Sequence, residues 1–329
     1  MLSPLIVLSG WILRSLACFY LIRFISNATI RCILTLVPCV VLTHITARDL
    51  PAMQMTSMLF TTFSWFASIR FFHFTVLSPN QYPTYKSFIL KVLWMFFPIV
   101  PSSSFQHQQL PIVYESFIAI TKLILNHWLY RWLLTCPGSD SYVRVSIYFI
   151  FAVTYTFLAD IQSIIVRLIT RNKYILLPSL NFPFLSLSVR EFWGKRYNQL
   201  VCTVFRESIF QPVRQFISSA TLASLIVFFI SGLLHLHLLF AMFKDYRSFG
   251  STMSFFLLHG LVCTLEANTS FQLPKSLSWL FTQLFLLSTA SLQLGPFTRI
   301  GPQVYIENVP PFFEQNLIPK LPIPNFCPS

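Results

Sequence analysis

The stretch Ile217–Phe243 reads ISSATLASLIVFFISGLLHLHLLFAMF, with no Asp, Glu, Lys or Arg in it. A helix needs about 20 apolar residues to cross the hydrocarbon core of a bilayer, so this stretch predicts a membrane span. Inside it, Ser231-Gly232-Leu233-Leu234-His235-Leu236-His237 places imidazoles where a lipid-facing helix has none. An ionisable group within a membrane helix is costly and marks a functional site by default.

The rest of the chain agrees. Its 329 residues are 55% hydrophobic, 17% aromatic and only 10% charged, with a mean hydropathy of +0.65. A soluble domain carries about 25% charged residues, so the solvent for most of this surface is lipid. The expected fold is all-α: a polytopic integral membrane helical bundle of about eight transmembrane helices plus interfacial or re-entrant helices. The spans are 4–24, 30–47, 55–77, 112–134, 144–168, 217–243, 250–267 and 277–295. Arg14 and Arg23 lie inside the first, which lacks a basic leader and a cleavage site and is read as a retained span. Lys86 to Val100 is apolar but short, closed by Pro98 and Pro101, and reads as a re-entrant or interfacial piece. Residues 102–110 read as a loop, Pro137-Gly138-Ser139-Asp140 as a turn, and the Pro-rich tail 296–329 as irregular. Asp160, within a span, needs a partner.

The net charge of +13 is not gathered into a nucleic-acid patch, so no nucleic-acid partner is expected. It concentrates between Arg167 and Phe216, which the positive-inside rule places in the cytosol. Alternation then brings 25–29 and 268–276 to the same side. The domain order is N-terminal spans 1–168, the basic loop 169–216, C-terminal spans 217–295 and the tail 296–329. Residues 190–205 read as one amphipathic interfacial helix with Phe192, Tyr197, Leu200, Val201, Val204 and Phe205 toward one side. Seven scattered cysteines include no C-x-x-C pair, so neither a disulfide framework nor a zinc site is expected.

The basic loop contains Glu191-Phe192-Trp193-Gly194-Lys195-Arg196-Tyr197-Asn198-Gln199. Asn198 can donate to a developing oxyanion or cap a helix. Lys195 and Arg196 can hold phosphates or anchor at anionic lipid. Ser231 lies one turn before His235 on the same face, and Gly232 admits a second backbone. His235 is a candidate general base or a structural imidazole. His237 points to nearly the opposite side and reads as packing. His259 can approach either; a three-histidine metal site lacks supporting carboxylate spacing, and no metal is expected. His44-Ile45-Thr46-Ala47-Arg48-Asp49 has the H-x-x-x-x-D spacing of glycerophosphate acyltransferases but no companion phosphate motif, and reads as a span boundary. Walker, G-x-S-x-G and H-E-x-x-H patterns do not occur.

Phe192-Trp193-Gly194-Lys195-Arg196-Tyr197-Asn198 resembles the F-W-G-R-R-W-N/H signature of wax synthase-like enzymes in the membrane-bound O-acyltransferase superfamily. Pro178 to Ser188, Phe210-Gln211-Pro212-Val213-Arg214 and Ser231-Gly232-Leu233-Leu234-His235 fit the same pattern, as does Phe255-Phe256-Leu257-Leu258-His259-Gly260 followed by Glu266. The specific similarity covers about 178–267. Two positions depart from it: Leu236 stands where the family often has Glu, and Tyr197 where it has Trp. The resemblance implies His235 and Asn198 as catalytic residues. It implies that Trp193, Lys195, Arg196, Tyr197, Ser231 and His259 contact substrate or CoA. It further implies acyl-CoA or acetyl-CoA as co-substrate with no permanently bound cofactor, a lipophilic alcohol as acceptor and an endoplasmic reticulum membrane location. Two other readings stand beside it: a transporter or channel with His235, His259, Asp160 and Glu266 on an ion path, and an inactive homologue.

Overall fold

The structure is a computed structural model. It describes residues 4–96, 98–104, 110–135, 145–148, 150, 152, 156–244, 246–269, 273–300, 303–310, 312–313 and 318–324. The longer helices in chain order are α1 Pro4–Tyr20, α2 Ala28–Asp49, α3 Met55–Phe72, α4 Tyr85–Leu93 and α5 Ile112–Leu134. They continue with α6 Phe157–Ile169, α7 Ala220–Phe243, α8 Phe249–Asn268 and α9 Lys275–Ile300. Five segments among the described residues are long and apolar enough to cross a membrane: Ile6–Phe24, Ala28–Asp49, Ala220–Phe243, Phe249–Asn268 and Lys275–Arg299. The chain is an all-α, multi-pass membrane protein. Expected spans 55–77 and 112–134 correspond to the helices α3 and α5 but are more polar, carrying Arg70 in the first and Glu115, Lys122 and Arg131 in the second. Span 144–168 is helical at 145–148 and again in α6; residues 149, 151 and 153–155, and the turn expected at Pro137-Gly138-Ser139-Asp140, lie outside the described residues.

The chain divides into two compact units, Met1–Phe97 with Phe184–Gln293, and Pro98–Pro183 with Leu294–Ser329. In the first, α1–α4 close around Trp11, Cys18, Phe19, Cys39, Phe71 and Phe88. A second cluster, Phe66, Ile69, Val204, Phe205, Ile209 and Leu234, joins α3 to the segment before α7 and to α7 itself. Buried Arg14 donates to the α2 carbonyls of Leu34 and Thr35, each at 2.7 Å. That pairing is how a membrane helix tolerates a guanidinium.

Side-chain caps set the span starts. Asn27 Oδ1 accepts the N–H groups of Thr29 and Ile30 to open α2, and Ser219 Oγ accepts that of Leu222 to open α7. Each removes an orphan donor that lipid could not satisfy. Hydrogen bonds also sort the first unit's ends. At one, Arg23 donates to Tyr82 O, Arg31 to Val76 O and Asn268 to Thr221 Oγ1. At the other, Met53 N–H donates to Met242 O and Lys244 Nζ to Ala47 O and Arg48 O. These bonds tie Arg23 and Arg31 to 76–82 and the end of α8 to the start of α7, and at the far end they tie 47–53 to 242–244.

In the second unit, α5 and α6 pair through Lys122–Asp160 at 2.7 Å and Arg167–Glu115 at 2.6 Å. Lys122 is the partner that Asp160 needed.

Three expectations are corrected. The short apolar piece Lys86 to Val100 is not one element: α4, capped by Thr84, is followed by strand β1 Ile99–Pro101, antiparallel to β2 Tyr174–Leu176 with Val100 opposite Ile175. Residues 190–205 are not one helix, because Asn198 adopts φ 43° and breaks the run. The tail is not irregular from 296: α9 continues through Pro296 to Ile300, and Gln303–Glu307 is helical.

Candidate active site

The basic segment enters on a polar brace. Ser188 Oγ accepts the Glu191 N–H at 2.9 Å, and Glu191 Oε2 accepts the Leu187 N–H at 2.8 Å, a variant of the capping box. Glu266, near the end of α8, accepts the N–H groups of Val189 at 3.0 Å and Arg190 at 2.7 Å. Two carboxylates thus satisfy the donors of a helix start. Burial would raise the Glu191 carboxyl, but the Leu187 N–H, the Arg196 hydrogen bond and the charges of Arg196 and Lys195 outweigh it and hold it below its ordinary value.

Phe192–Arg196 is a π-helical turn, closed by the Tyr197 N–H on Phe192 O at 2.7 Å. Such wide turns recur at functional sites because the extra residue re-aims its neighbours. Here Phe192 stacks on Tyr197 with ring centres 4.9 Å apart, and Trp193 meets Tyr197 edge-on at 5.3 Å. Burial pushes the Tyr197 phenol up to about 12, so it remains a neutral donor. Asn198 follows in the left-handed region, its Oδ1 accepting the Val201 N–H at 3.3 Å.

Trp193 carries the segment into the helices. Its Nε1–H donates to His259 Nδ1 at 2.9 Å, and His259 Nε2 lies 2.9 Å from Thr289 Oγ1. An indole can only donate, so His259 accepts at Nδ1 and donates from Nε2. The ring is fully buried and uses both nitrogens on protein.

His235 stands on α7 with Nδ1 2.8 Å from the Ser231 carbonyl. A carbonyl can only accept, so Nδ1 carries the proton and the neutral ring's lone pair lies on Nε2. Phe256 of α8 packs on the imidazole, ring centres 4.4 Å apart, and lies 6.3 Å from the Trp193 ring. The approach depends on Gly232, where an added Cβ would sit 2.9 Å from Met253 Sδ and 3.4 Å from Phe256 Cβ.

The structure therefore brings together Trp193, Tyr197 and His259, and connects His235 to them through Phe256. Among the described residues, no hydrogen bond joins Asn198 to His235. Lys195 is exposed, and Arg196 Nε donates to Glu191 at 2.6 Å. His237 is separate: its Nδ1 accepts from Trp65 Nε1 at 2.9 Å, and its ring lies along that of His44. In the H-x-x-x-x-D pattern, His44 packs on His237 while Asp49 pairs with Arg48 at the end of α2. Thr289 was not foreseen; one hydroxyl in an apolar span gives no signal by itself. Phe256 was quoted only as part of a motif, with no hint that it contacts His235.

Residues 177–258 match the Membrane bound O-acyl transferase family. The chain is 33% identical over 135 residues to an acyl-CoA–sterol O-acyltransferase of Arabidopsis thaliana, covering 37% of this chain and 39% of that one. It is 36% identical over 96 residues to a long-chain-alcohol O-fatty-acyltransferase of Simmondsia chinensis, covering 27% of each. A probable long-chain-alcohol O-fatty-acyltransferase of Arabidopsis thaliana is 22% identical over 307 residues, 86% of each chain. The matched part of the first of these relatives is thus well under half its length.

Proposed function

We propose, from the premise that this chain belongs to the wax synthase-like branch of the membrane-bound O-acyltransferase family, that it transfers an acyl group from acyl-CoA to the hydroxyl of a lipophilic alcohol. The observation that carries this reading is the fixed tautomer of His235, whose ring, protonated at Nδ1 by the Ser231 carbonyl contact, packs on Phe256 in an apolar helix pair.

His235 Nε2 takes the alcohol proton. The alkoxide oxygen bonds to the thioester carbonyl carbon, and the tetrahedral oxyanion collapses as the C–S bond breaks. The departing thiolate receives the proton back from the imidazolium, leaving ester and free CoA. Asn198 Oδ1 serves the α-helical cap, so donation to the oxyanion falls to its Nδ2. Trp193 and Tyr197 wall the approach, with His259 and Thr289 as positioning residues for Trp193. Lys195 and Arg196 face the donor's phosphates from the basic end, which this reading places in the cytosol with the protein in the endoplasmic reticulum membrane. The apolar spans exclude water that would hydrolyse the thioester.

The acceptor class follows the relatives, whose names divide between sterols and long-chain alcohols. The ion-path reading loses support, because Asp160 pairs with Lys122 and Glu266 caps backbone.

The test is esterification by membranes holding the full chain, with labelled acetyl-CoA or palmitoyl-CoA and a sterol or fatty alcohol. His235→Ala abolishes ester formation at unchanged protein level; equal activity in the variant removes His235 from the mechanism.

A further inference from the structure

The helix α8 touches both halves of the candidate site. Along it Phe256, His259, Cys263 and Glu266 recur at helical spacing and so share a face; the first three are buried. Phe256 packs on His235 with ring centres 4.4 Å apart. His259 receives the Trp193 indole N–H. Glu266, two turns and about 10 Å further along, receives two backbone N–H groups of the segment that carries Trp193 and Asn198.

The geometry at Glu266 is that of a clamp. Oε1 takes the Val189 N–H at 3.0 Å and Oε2 the Arg190 N–H at 2.7 Å. These are the first two N–H groups of the short helix Val189–Glu191, and a helix start leaves such donors without intrahelical acceptors. Ser188 Oγ takes the third, from Glu191. The segment's own cap thus serves one donor, and α8 serves the other two. A charged acceptor strengthens both bonds. Because each oxygen serves a different amide, the pair fixes orientation as well as distance. Three residues past Arg190, the Trp193 ring fills a notch between α7 and α8, its centre 6.0 Å from Phe228, 6.3 Å from Phe255 and 5.7 Å from His259. Gly260 lets Phe228 close that notch: an added Cβ there would lie 3.0 Å from Phe228 Cβ.

We propose that Glu266 is a positioning residue for the transfer reaction. By clamping Val189 and Arg190 it registers residues 189–198 against the helix whose Phe256 rests on His235, and so sets the separation between Asn198 and the imidazole. Glu266 touches no reacting atom; it acts through the backbone it holds. The proposal rests on the acyltransferase reading for what is positioned, whereas the clamp itself is read from a signal that needs no turnover. Glutamine in its place offers one carbonyl oxygen and turns an NH₂ group toward the second N–H, so that donor faces donor and the register slips. Aspartate keeps both oxygens on an arm one methylene shorter.

The experiment uses the full chain in nanodiscs, labelled with fluorotryptophan, the Trp193 fluorine resonance being the one missing from Trp193→Phe. Glu266→Gln shifts that resonance, lowers kcat by roughly tenfold or more, and leaves KM for acetyl-CoA or palmitoyl-CoA within about twofold, as misplacement of a reacting group requires. Glu266→Asp shifts the resonance less and keeps more of kcat. A Glu266 that served stability alone gives a different pattern: fewer folded molecules, each with the wild-type resonance and the wild-type rate. That pattern overturns the proposal, as does a loss confined to KM, or a Glu266→Gln protein with resonance and kcat unchanged. If Glu266→Gln does not accumulate in folded form, Glu266→Asp is judged by the same criteria. If His235→Ala still forms ester, the proposed chemistry fails while the clamp stands on the fluorine signal; if His235→Ala is inactive but the Glu266 variants behave as wild type, the clamp fails alone.

Discussion

At the scale of single residues, the site depends on which nitrogen holds which proton. The Ser231 carbonyl fixes His235, and Trp193 and Thr289 fix His259. Thr289→Val leaves a buried imidazole N–H without an acceptor, which costs about 1–3 kcal/mol. A lowered melting temperature, largely restored by Thr289→Ser, is the expected result. Asn198 combines a positive φ with a cap, and the two are separable. Asn198→Gly keeps the left-handed backbone at little cost, so it folds and loses ester formation, whereas Asn198→Ala also loses stability by about 1 kcal/mol. Equal transferase rates in Asn198→Gly and wild type would confine this residue to capping. His235 drew notice in the sequence because an imidazole in an uncharged span stands out against its surroundings, and its role as a base is the proposal under test. Thr289 was not, because hydroxyls in membrane helices routinely bond their own backbone, as Thr61, Thr62 and Thr282 do here.

At the scale of elements, close packing and wide turns position the candidate site. Gly232 permits α7 and α8 to touch. Gly232→Val forces Met253 and Phe256 aside, which overpacking studies put at about 1–3 kcal/mol, and moves the ring that rests on His235. Activity is expected to fall more than expression, read by rate per immunoblotted protein. Glu191 ties its own helix start to Arg196. Its folded pKa lies below the ordinary value, so its stabilisation is complete above that value and disappears as pH falls through the folded pKa. The melting-temperature difference between wild type and Glu191→Gln should be constant near neutrality and shrink in acid. Most long helices were legible from apolar length alone. The π-turns were not: Phe192–Arg196 has the same composition as an ordinary helical turn, and the extra residue is forced by the braces on either side and by the reversal at Asn198. The β1–β2 pair escaped notice for a similar reason, since two three-residue segments far apart in sequence carry no period.

At the scale of the whole molecule, the sidedness of the first unit is directly testable. In sealed microsomes, a membrane-impermeant thiol reagent should label Gln81→Cys, Gln215→Cys and Lys195→Cys from outside, but Ala52→Cys only after detergent. Labelling of all four before detergent would reject the orientation. That sidedness, combined with the place of His235 in its helix, sets a length. Fifteen residues separate Ala220 from His235, which at 1.5 Å per residue is roughly 22 Å of descent from the basic end. If His235 is the proposed base, a bulky headgroup cannot make that journey between packed helices, and a slender arm must deliver the reactive tip while its anchor waits at the rim. On that reading the fold acts as a ruler: donors whose arm is cut short should bind as well as the natural one yet fail to react.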